Sequence, residues 1–316
     1  MKVQHPTLVQ VVGPTAIGKT RMAIALAQAW GCDIVSTDSR QFYRDMRIGT
    51  AVPEPEELAA APHHCIQHIS IHQPYSVGDY VREAEALLDH LFVQNNIQVA
   101  VGGSGLYAQA LSEGLNAFPD IDPEVRLRLQ QGYAVEGLPY LQALLAEHDP
   151  HFYQHLLHTN PQSLQNPQRL MRYVEVGVGA PQPYSFYLQQ KPAPKSFQTL
   201  WLGLEAPKAV LNARIDARVM QMMAQGLLDE AKALYAHRAN NALQTVGYTE
   251  LFAHLDGQHS LEEAVALIQL HTRQFAKRQM TWFKKRKDIL WIPYDTAVEE
   301  ALDQLNTKVA MDVDDF

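Results

Sequence analysis

The residues with the plainest chemical capacity lie near the start of the chain, in Gly13-Pro14-Thr15-Ala16-Ile17-Gly18-Lys19-Thr20. Their order fits G-x-x-x-x-G-K-[ST], the phosphate-cradling P-loop. Glycines in such a loop let backbone N–H groups turn toward phosphate oxygens, and the start of the next helix adds positive potential. Lys19 would bridge the terminal phosphates, and the Thr20 hydroxyl would fill one position on a Mg²⁺ ion. The loop therefore predicts a bound di- or triphosphate. It does not say which one.

P-loop proteins commonly carry, at the end of a later strand, an acid that holds Mg²⁺. Here the apolar run over residues 97–101 reads as a buried strand, and it ends in Gly102-Gly103-Ser104-Gly105 with no acid. No guanine-reading N-K-x-D occurs. The carboxylate expected nearest the phosphates is Asp38, at the carboxyl end of a strand over residues 33–37, where ligands of open α/β sheets sit. These features disfavour a motor or switch NTPase and favour a transferase that consumes a phosphorylated small molecule. The 14 histidines, His63-His64 included, show no metal-ligand spacing such as H-E-x-x-H. Cys32 and Cys65 are too few for a disulfide scaffold or a zinc site and read as small buried side chains.

The elements that must position these groups are legible in the periodicity. Residues 8–12 form an apolar run before the loop, and Met22, Ala23, Leu26 and Ala27 recur at helical spacing until Gly31. A strand over 33–37, an amphipathic helix over 77–92 and the strand over 97–101 follow, with a loop at 43–53 and a short helix at 55–61. That alternation predicts an α/β fold, a P-loop NTPase-like doubly wound parallel sheet. After Gly114 strand-like runs stop, and helical stretches at 124–133, 139–147, 150–157 and 168–176 are separated by Pro and Gly. The expected organisation is a P-loop core of residues 1–116 and 199–316 interrupted by a helical insertion at 117–198. A strand at 199–204 reopens the core, and helices are expected at 208–225, 227–235 and 261–286, before an acidic, frayed tail at 312–316.

Of the 316 residues, 47% are hydrophobic and 19% charged, the balance of a soluble globular chain. No run of eighteen apolar residues and no leader-like start is visible, because Met1-Lys2-Val3-Gln4-His5-Pro6 passes directly into the first strand; a cytoplasmic protein without membrane contact is expected. The net charge of −8 argues against nucleic acid until its distribution is considered. Between His271 and Lys287 stand seven Lys or Arg and no acid, which leaves −15 on the remainder. A chain this polarised can offer one basic surface to a polyanion.

The order and spacing of several further segments resemble one family, the tRNA dimethylallyltransferases, which prenylate N6 of adenosine 37 beside the anticodon. The resemblance spans nearly the whole chain. It rests on the P-loop, Thr37-Asp38-Ser39-Arg40-Gln41-Phe42-Tyr43, Ile48-Gly49-Thr50-Ala51, Gly102-Gly103-Ser104-Gly105-Leu106-Tyr107 and Asp122-Pro123-Glu124-Val125-Arg126. Gln168-Arg169-Leu170-Met171-Arg172, Val246-Gly247-Tyr248 and Thr272-Arg273-Gln274-Phe275-Ala276-Lys277-Arg278-Gln279 complete it.

The resemblance implies that the P-loop grips the diphosphate of dimethylallyl diphosphate rather than ATP. The barrier would lie in charge building on the departing oxygens, stabilised by Lys19, the N–H groups of Ala16 to Thr20, and Mg²⁺ at Thr20. It implies Arg218 as a further diphosphate contact, against the plainer reading of a solvated helix-face Arg. Asp38 becomes the catalytic base for the N6 amine, with a Mg²⁺ ligand or a cap of the following turn as the competing reading. Ser104 stands where the family usually has Thr and keeps a hydroxyl for the bridging oxygen of the diphosphate. The implied contacts with the tRNA anticodon loop are Asp38, Ser39, Arg40, Gln41, Ser104, Arg126, Gln168, Arg169, Leu170, Met171 and Arg172, with Arg273, Lys277 and Arg278 on the helix that reaches Gln279. On that helix Arg273, Lys277 and Lys284 are expected to share a face, with Phe275 and Trp282 filling the other. A monomer is expected.

Three positions depart from the family pattern: Val52 where Lys is frequent, and Gln244 and Thr249 where many bacterial members carry Arg. Rival readings are a P-loop small-molecule or nucleoside kinase, an RNA-binding module with a vestigial P-loop, and a transferase that prenylates free AMP. Arginines 126, 128, 169 and 172 are scattered rather than gathered into a kinase lid. The intact Lys19, Thr20 and Asp38 oppose the second rival, and the insertion with its basic helix opposes the third.

Overall fold

The computed structural model describes residues 5–313. The expectations for residues 1–4 and for the tail at 314–316 lie outside them, while residues 312 and 313 belong to the last helix. Residues 114–194 form one compact unit, and the residues on either side of it in sequence form the other.

The larger unit is built on six parallel strands: β1 (Thr7–Val12), β2 (Ile34–Ser36), β3 (His63–His64), β4 (Ile97–Val101), β5 (Gln198–Glu205) and β6 (Leu290–Pro293), in the order β3-β2-β4-β1-β5-β6. Every residue of β1, β2 and β4 is buried, as expected of strands covered on both faces. The register fixes the site. Val11 lies opposite Val101, and Ser36 also lies opposite Val101, so the chain leaves β1, β2 and β4 at one edge of the sheet. Gly13, Asp38 and Gly102 therefore emerge side by side, at the carboxyl ends where the chain order reverses across the sheet.

The flanking helices are α1 (Lys19–Trp30), α2 (Pro55–Ala60), α3 (Val77–Gln94) and α4 (Gly105–Glu113). Helix α1 ends where expected, at a left-handed Gly31. Helix α3 starts at a reciprocal cap in which Ser76 accepts from the Asp79 N–H and the Asp79 side chain accepts from Ser76 N–H. The smaller unit contains α5 (Pro123–Glu136), α6 (Leu138–His148), α7 (Pro150–Thr159), α8 (Pro167–Gly179) and α9 (Tyr184–Leu188) around Leu129, Leu141, Leu145, Leu170 and Val174. The chain then completes the larger unit with α10 (Lys208–Ala224), α11 (Leu227–Leu234), α12 (Tyr248–Leu255), α13 (Leu261–Phe283) and α14 (Val298–Val313). No helix among the described residues is long and apolar enough to cross a membrane. Both cysteines are buried and unpaired.

Candidate active site

The phosphate loop takes its shape from backbone geometry that few residues tolerate. Gly13 has φ +143°, and a Cβ there would stand 2.7 Å from the Leu204 carbonyl oxygen of β5. Ala16, at φ 62°, holds a left-handed conformation without being glycine, a strain that clusters at ligand-binding turns. At the floor, Lys19 donates to the Pro14 carbonyl at 2.8 Å. Burial pulls its ammonium down to about 8; Asp38 opposes that shift and Arg218 adds to it. From α10, Arg214 donates to the Ala16 carbonyl at 2.8 Å and lies over the Tyr294 ring at 5.2 Å, bracing the loop from outside. One turn on, burial lowers the Arg218 guanidinium while Asp38 and Glu57 support its charge. The expected cations, Lys19 and Arg218, thus face one carboxylate.

Two cavities meet here. The first, about 890 Å³, is lined by Lys19, Thr20, Arg47, Glu57 and Gln221 among others, and is polar. The second, about 780 Å³, is walled by Leu106, Tyr107, Ile268, Phe275, Arg278 and Trp282. Thr15, Asp38, Thr50, Ala51, Arg218 and Met222 line both. Asp38 Oδ1 accepts from Arg40 N–H at 3.1 Å, a turn of the Asx type, and Oδ2 accepts from no protein group among the described residues. The capping reading of Asp38 and its placement between the cavities are therefore both present in the geometry. They use different oxygens.

The rest of the turn is occupied internally. Ser39 N–H donates to Ser104 Oγ at 3.0 Å, and the two hydroxyls share a further hydrogen bond of 3.0 Å. Arg40 donates to the carbonyls of Asn241 and Ala242 at 3.0 and 2.9 Å, and Gln41 donates to that of Ala51 at 2.8 Å. All four side chains are expected at RNA. The structure spends Arg40 and Gln41 on holding neighbouring loops. The loop at 47–51 is further anchored by Glu230 on α11, whose carboxylate accepts from the N–H groups of Arg47, Ile48 and Gly49 and from the Tyr248 hydroxyl.

On α13 the aromatic pair lies on the side away from Arg273 and Lys277, as expected, but it is only partly covered. The buried stripe is Ala264, Ile268, Ala276, Gln279 and Phe283, whereas Phe275 and Trp282 are 39% and 36% exposed and wall the second cavity. Phe275 stands seven residues from Ile268 and four from Gln279, and Trp282 three from Gln279, so the pair borders the packed stripe without being enclosed by it. A Cβ at Gly105 would overlap the Trp282 indole, so glycine is what admits the ring against α4. Nor do the three expected cations form one free row. Arg273 pairs with Asp216, and Lys284 pairs with Glu205 at 3.3 Å. Lys277 and Arg278 are exposed and have no carboxylate partner among the described residues.

Within the smaller unit, Leu170 and Met171 are 0% and 6% exposed and belong to its core, which corrects their expected contact with RNA. Spacing explains it: they are the apolar stripe of α8, between the outward Arg169 and Arg172. Gln168 and Arg169 are exposed, Arg169 donating to Ser163 Oγ at 3.0 Å. Arg126 and Arg172, about half exposed, converge on the buried Glu175 at 3.1 and 3.2 Å. The departing positions show no replacement cation. Val52 is buried, Gln244 donates to the Arg238 carbonyl at 2.6 Å and Thr249 donates to Glu250 at 3.0 Å.

A family model described as IPP transferase matches residues 41–286. The tRNA dimethylallyltransferase of Flavobacterium psychrophilum is 49% identical over 302 residues, covering 96% of this chain and 98% of that protein. That of Christiangramia forsetii is 44% identical over 302 residues, with the same coverage. The crystal structure of the tRNA isopentenylpyrophosphate transferase from Bacillus halodurans matches with a TM-score of 0.69 at 31% identity, over 98% of this chain and 97% of that one. A eukaryotic dimethylallyltransferase caught acting on tRNA shares the fold, with a TM-score of 0.78 at 23% identity over 96% of this chain and 79% of that one. The family model spans strand β4, the helical unit and α13, well over half of the chain: the chain belongs to the IPP transferase family.

Proposed function

We propose that this chain transfers the dimethylallyl group of dimethylallyl diphosphate to N6 of adenosine 37 in tRNA, in the cytoplasm. The observation that carries the reading is the junction at Asp38, where a polar cavity over the P-loop meets a cavity walled by aromatic and apolar side chains. The diphosphate lies in the first cavity against Lys19, Arg218 and the N–H groups from Ala16 to Thr20. The adenine, extruded from the anticodon loop, enters the second between Tyr107 and α13. The new C–N bond forms as the allylic C–O bond breaks, the electron pair leaves with the diphosphate, and the Asp38 carboxylate takes the N6 proton. Lys19 and Arg218 stabilise charge that grows on the departing oxygens, so they favour the transition state over the ground state.

Among the described residues no three His, Cys, Asp or Glu side chains gather in a metal-binding group. One hydroxyl, Thr20, plus substrate oxygens and water is a donor set that suits Mg²⁺, which rarely takes an all-protein cage. Bound there, it would neutralise diphosphate charge. Lys277 and Arg278 offer the RNA backbone cations with no carboxylate partner among the described residues, and Arg126, Gln168, Arg169 and Arg172 offer half-exposed or exposed donors in the helical unit.

Mass spectrometry of tRNA nucleosides after incubation with dimethylallyl diphosphate and Mg²⁺ tests the reading. N6-(dimethylallyl)adenosine is the expected product. Phosphoryl transfer from labelled ATP to a small acceptor, without prenylated nucleoside, would instead support the kinase reading.

A further inference from the structure

Gln279 is the one polar residue in the buried stripe of α13, and it is 6% exposed. Both ends of its amide are used. Oε1 accepts from the Thr15 N–H of the phosphate loop at 2.8 Å, and Nε2 donates to the Gly103 carbonyl beyond β4 at 2.9 Å. A Cβ at Gly103 would overlap Nε2 and lie 3.6 Å from Lys19 Nζ, so the amide, the glycine and the ammonium share one small volume. Thr15 directly precedes the N–H groups from Ala16 to Thr20, and its own N–H is held by Gln279. The amide thereby holds in place a loop whose backbone is already left-handed at Ala16.

We propose that Gln279 is a positioning residue for the diphosphate donor: it fixes the first half of the P-loop against the end of β4 and so sets the spacing of the N–H cradle and Lys19. Its place on α13 suggested RNA contact, but burial and the fully used amide direct it inward. The role rests on reading the P-loop as the diphosphate site. It adds a determinant that sits 264 residues away in sequence from the loop it shapes.

Two variants separate positioning from simple support of the fold. Gln279→Met keeps the volume and leaves Thr15 N–H and Gly103 C=O unpaired. Gln279→Glu keeps an acceptor for Thr15, loses the donor to Gly103 and sets a negative charge near Lys19. Calorimetric titration with inorganic diphosphate and Mg²⁺ should show about tenfold weaker binding for Gln279→Met, the loss of roughly one hydrogen bond. Gln279→Glu should bind more weakly still, with its remaining affinity shifted toward lower pH as the carboxylate becomes protonated. In both, the KM for dimethylallyl diphosphate should rise while the Kd for tRNA stays within about twofold of wild type, a change too small to count as a lost contact. Diphosphate affinity unchanged in both variants would overturn the proposal. So would equal loss of diphosphate and tRNA binding in step with a lowered Tm, the pattern of mere structural support. Prenyl transfer by the wild-type protein is read in a separate assay, so failure of the functional reading is distinguishable from failure of this one.

Discussion

Lys19 holds its ammonium against the Pro14 carbonyl in a cleft that disfavours the charge, with Asp38 close enough to offset part of the penalty. A diphosphate would bind the protonated form, and that form predominates only below about 8. The sign follows: donor affinity is fully present below that value and is lost as pH rises through it. The KM for dimethylallyl diphosphate should be flat below pH 8 and climb toward tenfold per pH unit above it, as one required proton becomes scarce. A KM that stays flat through about pH 10, near the ordinary lysine value, would show that Lys19 does not hold the donor. At this scale the contiguous signals were legible, because Gly13 to Thr20 and Asp38 carry their chemistry in local sequence. Arg214, Glu230 and Gln279 were not. Each is set against its partner loop by tertiary packing, and no short pattern marks a helix residue that will meet a loop some 180 to 260 residues distant.

At the scale of elements, α8 and α13 show how motif and contact come apart. Gln168 to Arg172 resemble an RNA-binding segment, yet Leu170 and Met171 point into the core of their own unit. Leu170→Ala should therefore destabilise the protein by about 2–5 kcal/mol, as a cavity-forming core change does, with no change in the salt dependence of RNA binding. Thermal unfolding beside filter binding reads both; a lost RNA contact with unaltered Tm would contradict the core assignment. On α13 the opposite holds for Lys277 and Arg278, which are exposed and have no carboxylate partner among the described residues. Replacing both with Ala should lower the slope of log K against log salt by about two, one for each phosphate contact removed. An unchanged slope would show that this surface does not meet the RNA.

The strands show the same division. Buried β1, β2, β4 and β5 are readable from their apolar runs, whereas β3 is two residues long and β6 is a four-residue edge strand closed by Pro293. Helix α12 falls in the stretch between the helices expected at 227–235 and 261–286, and Gly247 stands at its start. It is the residue before the first turn, its N–H held by Glu250 at 2.8 Å.

For the molecule as a whole, the acidic remainder and the basic stretch near its carboxyl end serve one arrangement. The sheet brings Asp38, the P-loop and the end of β4 to a single edge, and α13 closes over that edge with Phe275, Trp282 and Arg278 lining the second cavity and Lys277 outside it. On the proposed reading, donor and acceptor reach Asp38, which lines both cavities, from different sides. The most direct test is the single-turnover rate of prenyl transfer by Asp38→Ala, measured with saturating tRNA and donor. The rate should fall by about 10²–10⁴, the usual contribution of a positioned base, while the Kd values for tRNA and inorganic diphosphate remain near wild type. A wild-type rate in that variant would contradict the assignment of the junction as the site of reaction.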